Sequence, residues 1–176
     1  METMQAIALR KSCRDYTAQA VEEEKLRQVL QAINHAPGIG VFHVTVIRNR
    51  ELLQLIDDAT LETMKNGNDF TKKMAVQPGF RPLYNAPVFI VFSIPNPMIE
   101  ASAASAITTM TIAATDLGLG SCFVRSPIGP LMPDSPLSAR LNLPEGYCAS
   151  VGMLLGYCAG EKFAQQRLDP VINYLD

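Results

Sequence analysis

The sequence predicts an α+β domain, and three observations carry that expectation. Helical stripes alternate with short apolar runs of strand length, the stretch 98–119 is nearly free of charge, and 176 residues are enough for one domain with a real core. A single domain over 1–176 is expected. Hydrophobic residues make up 48% of the chain and charged ones 18%, a globular balance that leans apolar, as a subunit with a large buried interface does. The net charge of -2, with no dominant Lys/Arg run, argues against nucleic acid and leaves the few basic clusters for a local anionic ligand.

The first element is a helix over 3–11, suggested by Met4, Ile7, Ala8 and Lys11. Arg10, Lys11 and Arg14 interrupt the N-terminus before any apolar run forms, so no secretory signal is read and a cytoplasmic protein is expected. Glu22, Glu23 and Glu24 then lead into Leu26, Val29, Leu30 and Ile33, a helix with acids at its positive end that must stop at Ala36-Pro37-Gly38. Residues 42–47 read as a β-branched strand. Asn49 is placed to cap a second amphipathic helix carrying Leu52, Leu55, Ile56, Ala59 and Met64. Gly and Pro punctuate 66–82, which predicts a long loop with one helical turn near 70–74.

Residues 88–92 form a continuous apolar run, the pattern of a strand buried on both faces at the sheet centre. The stretch 98–119 has the length of a membrane span, but Ser102, Ser105, Thr108, Thr109, Thr111 and Thr115 argue against one. Its stripe of Ile99, Ala103, Ile107, Met110, Ala114 and Leu117 suits a helix packed closely among others. Gly118 and Gly120 end it. A short strand at 121–124, a loop over 125–136, a short helix at 137–141 and a last strand at 147–157 complete the order, with a polar tail from Cys158 onward whose apolar end should dock somewhere. Cys13, Cys122, Cys148 and Cys158 show neither CxxC nor metal-ligand spacing, so reduced, mostly buried thiols are expected.

The chemistry is concentrated in Arg10-Lys11-Ser12-Cys13-Arg14-Asp15-Tyr16. Guanidinium groups fork onto phosphate oxygens and a hydroxyl adds a donor, so Arg10, Ser12 and Arg14 can surround a dianion. At the C-terminal end of a helix the dipole opposes an anion, and the side-chain charges must do the binding.

The spacing Arg-x-Ser-x-Arg-x-Tyr resembles the opening motif of the FMN-dependent nitroreductase family. Three later segments resemble that family in the same order: Asn85-Ala86-Pro87-Val88-Phe89-Ile90-Val91, the long helix into Leu117-Gly118-Leu119-Gly120-Ser121-Cys122, and Leu143-Pro144-Glu145-Gly146-Tyr147 with Leu155-Gly156-Tyr157. The resemblance implies a mostly antiparallel central sheet flanked by helices, and a homodimer with FMN at the subunit interface. It implies that NADH or NADPH delivers hydride to the flavin, which passes it to a small-molecule acceptor such as a nitroaromatic or quinone, with no catalytic side chain required. No nucleic acid and no membrane enter the scheme. By the same resemblance Arg10 and Ser12 hold the phosphate, Lys11 between them belongs to the cofactor-binding set, and Arg14 faces the ribityl chain and the N1/O2 edge. Arg125 and Ser126 approach N5 through their backbone, Pro37 and Gly38 lie where the partner subunit touches the flavin, and Arg167, with Lys162 as competitor, supplies a second phosphate cation.

The segment 36–43 departs from that pattern. It is shorter and lacks the two amides often found there, so flavin binding at that edge must rest on backbone or be weaker. This keeps open a flavin-storage protein, or a flavin-free interaction module of the same fold. His43 opens a strand and is expected to be structural.

Overall fold

The computed structural model describes residues 1–160 and 170–175. Among them four strands form one sheet in the order β1-β2-β4-β3: β1 (His43–Ile47), β2 (Val88–Ile94), β3 (Gly120–Val124) and β4 (Cys148–Gly156). Every neighbouring pair is antiparallel. All seven residues of β2 are buried because both faces of the sheet are covered. On one face Val88, Ile90 and Phe92 meet α2 (Glu23–Gln31) and α5 (Glu100–Asp116) through Leu26, Val29, Ala103, Ile107 and Met110. On the other, Phe89 and Val91 meet Leu52, Leu53 and Ile56 of α3 (Arg50–Lys65). That is why the strand reads as a continuous apolar run.

α5 keeps its threonine hydroxyls inside the helix. Thr108, Thr109 and Thr115 donate to the carbonyls of Ala104, Ser105 and Thr111 at 3.0, 3.2 and 2.9 Å, so a helix rich in threonine needs no outside partners for them. It ends at Leu117, with Gly118 in the left-handed region at φ +74. No helix among the described residues is long and apolar enough to cross a membrane. Asn49 caps α3 as expected, its side-chain oxygen accepting the Leu52 N–H at 2.9 Å.

Several expectations need correction. The first helix, α1 (Thr3–Leu9), ends at its cap Arg10, and only Ala6 is buried; Met4 and Ile7 face outward. Leu55, expected on the buried stripe of α3, is exposed as well. Residues 69–75 are a full helix, α4 (Asp69–Ala75), because Asn68 caps it by accepting the Thr71 N–H at 3.0 Å. The loop over 125–136 opens with a 3-10 helix, Ser126–Leu131, which its prolines permit in short form. A short helix, α6 (Pro136–Ala139), follows.

The expectation of four reduced thiols is overturned for two of them. Cys13 and Cys158 form a disulfide, while Cys122 and Cys148 are free. Spacing could not show it, since 145 residues separate the pair. Tertiary pairing brings them together: the Cys13 N–H donates to Ser121 O at 2.8 Å, and Tyr16 bridges antiparallel to Cys158. Their Cα atoms lie 6.0 Å apart, within ordinary disulfide reach.

Candidate functional site

The site is built where the chain leaves α1. Arg10 caps that helix in a non-helical conformation (φ -59, ψ 122), and the backbone continues as an extended segment against β3, with Ser12 bridging parallel to Ser121. Successive side chains of an extended segment alternate sides, so Arg10, Ser12 and Arg14 share one side and Cys13 turns into the protein, where it is buried. Cys122 of β3 lies among the three. Burial pushes its thiol up; the Arg14 charge, a hydrogen bond with Ser12 and the Arg10 charge pull it back. No carboxylate pairs with Arg10 or Arg14 among the described residues. Lys11 is exposed.

Arg14 opens onto a cleft of about 400 Å³ together with Tyr84, Cys122, Arg125 and Ser126. The opposite wall is apolar: Met64 at the end of α3, Phe70 and Met74 of α4, and Phe80. A volume in the range of small-ligand pockets, with convergent cationic donors on one side and a dry wall on the other, fits a flat ligand that carries a negative charge. Arg125 holds Glu100 at the start of α5 by two hydrogen bonds of 3.0 and 3.4 Å, and Glu100 also accepts from Ser150 at 2.7 Å. Ser150 reaches it from a bulge in β4, where the register shifts opposite Phe92 and Ser93. Arg125 and Ser126 both line the cleft.

Tyr84 and Cys122 were not among the residues that the sequence singled out. Burial is the main cause holding the Tyr84 phenol above the ordinary value, Cys122 adds to it, and Arg14 opposes. Tyr84 and Asn85 both take left-handed backbone, φ 51 and 63, at a cost of about 1–3 kcal/mol each. The buried Asp57 of α3 holds them there. One of its oxygens accepts the Leu83 N–H at 2.6 Å and the other pairs with Arg81, which also reaches Asp58 at 2.6 Å. The one signal available was an acid inside the apolar stripe of α3.

Pro37 and Gly38 lie elsewhere. They line a groove of about 300 Å³ against α5, where Ser102 Oγ accepts the Ile39 N–H at 3.0 Å, and the chain's own fold does not bring them to Arg14. His43 sits in β1, 3.5 Å from Thr45 Oγ1, away from the cleft. Arg167 and Lys162 fall outside the described residues. Among the described residues no group of three or more His, Cys, Asp or Glu side chains could hold a metal ion.

A model of the nitroreductase family matches residues 7–157, from just before Arg10 to the residue before Cys158. The chain belongs to the nitroreductase family. This nitroreductase-family chain superposes on a nitroreductase with bound FMN from Desulfitobacterium hafniense DCB-2 with a TM-score of 0.85 at 25% identity, covering 100% of both chains. A nitroreductase with bound FMN from Bacteroides fragilis NCTC 9343 gives 0.83 at 23% identity, again over 100% of both. Nitroreductase A from Vibrio parahaemolyticus RIMD 2210633 gives 0.72 at 20%, covering 100% of this chain and 78% of that one. No curated protein sequence matches it closely. These likenesses agree with the α+β sheet-and-helix architecture expected from the sequence.

Proposed function

We propose that the cleft binds FMN and that the protein is a flavin oxidoreductase, taking hydride from NADH or NADPH and passing it to a small acceptor such as a nitroaromatic or quinone. The observation that carries this is the gathering of Arg10, Ser12 and Arg14 around Cys122, with Arg14 and Cys122 lining a cleft that also has apolar walls, in a nitroreductase-family chain. FMN-bound relatives of the same fold support it. Bound, FMN supplies two-electron hydride chemistry that side chains cannot.

The protein's part is to bind, orient and set charge. Arg10 and Ser12 recognise the phosphate, with Lys11 adding positive potential from the surface. Arg14 lines the cleft, where a fixed cation favours the electron-rich form of the ligand. The backbone of Arg125 and Ser126 faces the reactive edge, and the wall of Phe70, Met74 and Phe80 excludes water from it. Pro37 and Gly38, distant within one chain, fit a site completed by the partner in a homodimer, and Arg167 fits a second phosphate contact from the tail.

Purified protein should bind FMN far more tightly than riboflavin, as followed by quenching of flavin fluorescence. Under anaerobic stopped flow NADH or NADPH should bleach the bound flavin and a quinone should restore its colour. Equal affinity for riboflavin and FMN would overturn the phosphate assignment. The short 36–43 segment without amides favours one alternative, flavin storage, and reduction by dithionite but by neither nicotinamide would select it.

A further inference from the structure

We infer that the Cys13–Cys158 disulfide is a redox clasp on the basic segment: thiols open it at the exposed Cys158 sulfur, and the opened protein holds FMN less tightly than the closed one. This rests on the flavin assignment of the cleft and adds to it a chemical control over its occupancy.

The two halves of the link are placed differently. Cys13 stands between Ser12 and Arg14 and is 2% exposed, whereas Cys158 follows the end of β4 and is exposed. The Cys13 side is anchored to the sheet, through its N–H to Ser121 O at 2.8 Å and the bridge of Ser12 to Ser121. The Cys158 side meets the segment through Thr17 N–H to Tyr157 O and Ala159 N–H to Asp15 O, both at 2.8 Å. Gly120, the first residue of β3, makes room for the link: a Cβ there would lie 2.9 Å from Cys13 Cβ and 3.0 Å from Cys13 Sγ, and would collide with the Cys158 sulfur. Cys122 and Cys148 stay thiols, so this is not one bond of a disulfide framework, and a disulfide with an exposed sulfur is of the labile kind.

The exchange balances with a monothiol such as glutathione as reductant. Its thiolate attacks Cys158 Sγ, the S–S bond to Cys13 breaks, and Cys13 leaves as a thiolate that takes up a proton. A second glutathione attacks the mixed disulfide, releasing Cys158 as a thiol and leaving as glutathione disulfide, so two electrons pass from two thiols to the protein. The freed Cys13 sulfur lies 3.2 Å from the Asp15 carbonyl oxygen, an acceptor that an S–H can use and a disulfide cannot. With the covalent tie gone, the junction between the segment and the chain beyond β4 depends on backbone hydrogen bonds beside an exposed stretch, which open locally at low cost. Ser12 and Arg14 flank Cys13, and a binding segment that must be ordered on association binds less tightly than one ordered beforehand.

The test equilibrates the folded chain with reduced and oxidised glutathione, traps thiols by alkylation and maps them by mass spectrometry. Cys13 and Cys158 should convert together and reversibly while the circular dichroism stays native. Resistance of the pair until urea unfolds the chain, or loss of the whole fold on reduction, would mark a structural staple and overturn the inference. In the cofactor-free protein the amides of Thr17 and Ala159 should exchange with deuterium about tenfold faster after reduction, with β2 unchanged. The FMN dissociation constant should rise about tenfold on reduction while that of riboflavin, which has no phosphate, stays as it was. Cys158→Ser, at an exposed position, should bind FMN as the reduced protein does and ignore dithiothreitol. FMN affinity indifferent to the state of the pair would overturn the inference while leaving the flavin assignment intact. Failure of the closed protein to bind FMN would overturn that assignment instead, and the thiol mapping and amide exchange would still say whether the pair opens as a clasp.

Discussion

The two arginines that flank Ser12 differ in where the fold puts them. Arg10 caps α1 outside the cleft lining, and Arg14 is part of it. Arg10→Ala should therefore weaken FMN binding by about tenfold or more, the scale of a lost hydrogen bond to a charged group, and leave riboflavin binding unchanged. Arg14→Ala should slow flavin reduction more than it weakens binding. Flavin fluorescence titration and anaerobic stopped flow separate the two, and identical effects from both would refute the division. The same few residues also set a pH dependence. Burial raises the acid groups of Tyr16, Tyr84 and Cys122 above their ordinary values. The native state keeps these protons where the unfolded chain gives them up, so their stabilisation is whole below the unfolded values, about 8.5 for the thiol and about 10 for the phenols, and is lost as pH rises through the native ones. The urea midpoint should stay level from about pH 7 to 8 and fall between about pH 8.5 and 10.5, and Cys122→Ser should remove the earliest part of that fall.

Elements that are buried within one chain were legible; those whose meaning depends on distant or absent partners were not. The apolar run of β2 and the Asn49 cap of α3 follow from local chemistry, and both are where the sequence places them. α1 misled because its outward Met4 and Ile7 look like a core stripe, and periodicity reports only that one face is apolar, never what covers it. α4 was hidden by the glycines and prolines around it, although Asn68-Asp69 was a usable start signal. Of the site, the basic trio could be read from spacing and donor chemistry, but Tyr84 owes its place to a left-handed turn held from α3, which no local pattern encodes. The Cys13–Cys158 link is of the same kind and is directly checkable. Denatured without reductant, the chain should titrate two thiols, Cys122 and Cys148, and four after reduction. Four at the outset would remove the link.

At the scale of the molecule, a single chain leaves much apolar surface in water. Met4 and Leu9 of α1, Met98 before α5, and, among the described residues of the tail, Val171, Tyr174 and Leu175 are all exposed. Side chains of this kind, with Pro37 and Gly38 set apart from the cleft, lead us to predict a homodimer at micromolar concentration. Sedimentation should find it, and a folded monomer there would count against both the assembly and the partner's share of the site.

The pairing of the basic segment also has a consequence for biosynthesis. Residues 10–17 are made before most of their backbone partners: Tyr84 accepts from Tyr16, Ser121 accepts from Cys13, Tyr157 accepts from Thr17, and Ala159 donates to Asp15. During elongation the three cations have nowhere to dock for most of the chain's length, a wait on the order of ten seconds at ordinary ribosome speeds. The segment that recognises the ligand must then close over a sheet that has already formed. A flavin held by these residues is therefore expected to be admitted after β4 is complete rather than to template the nascent chain.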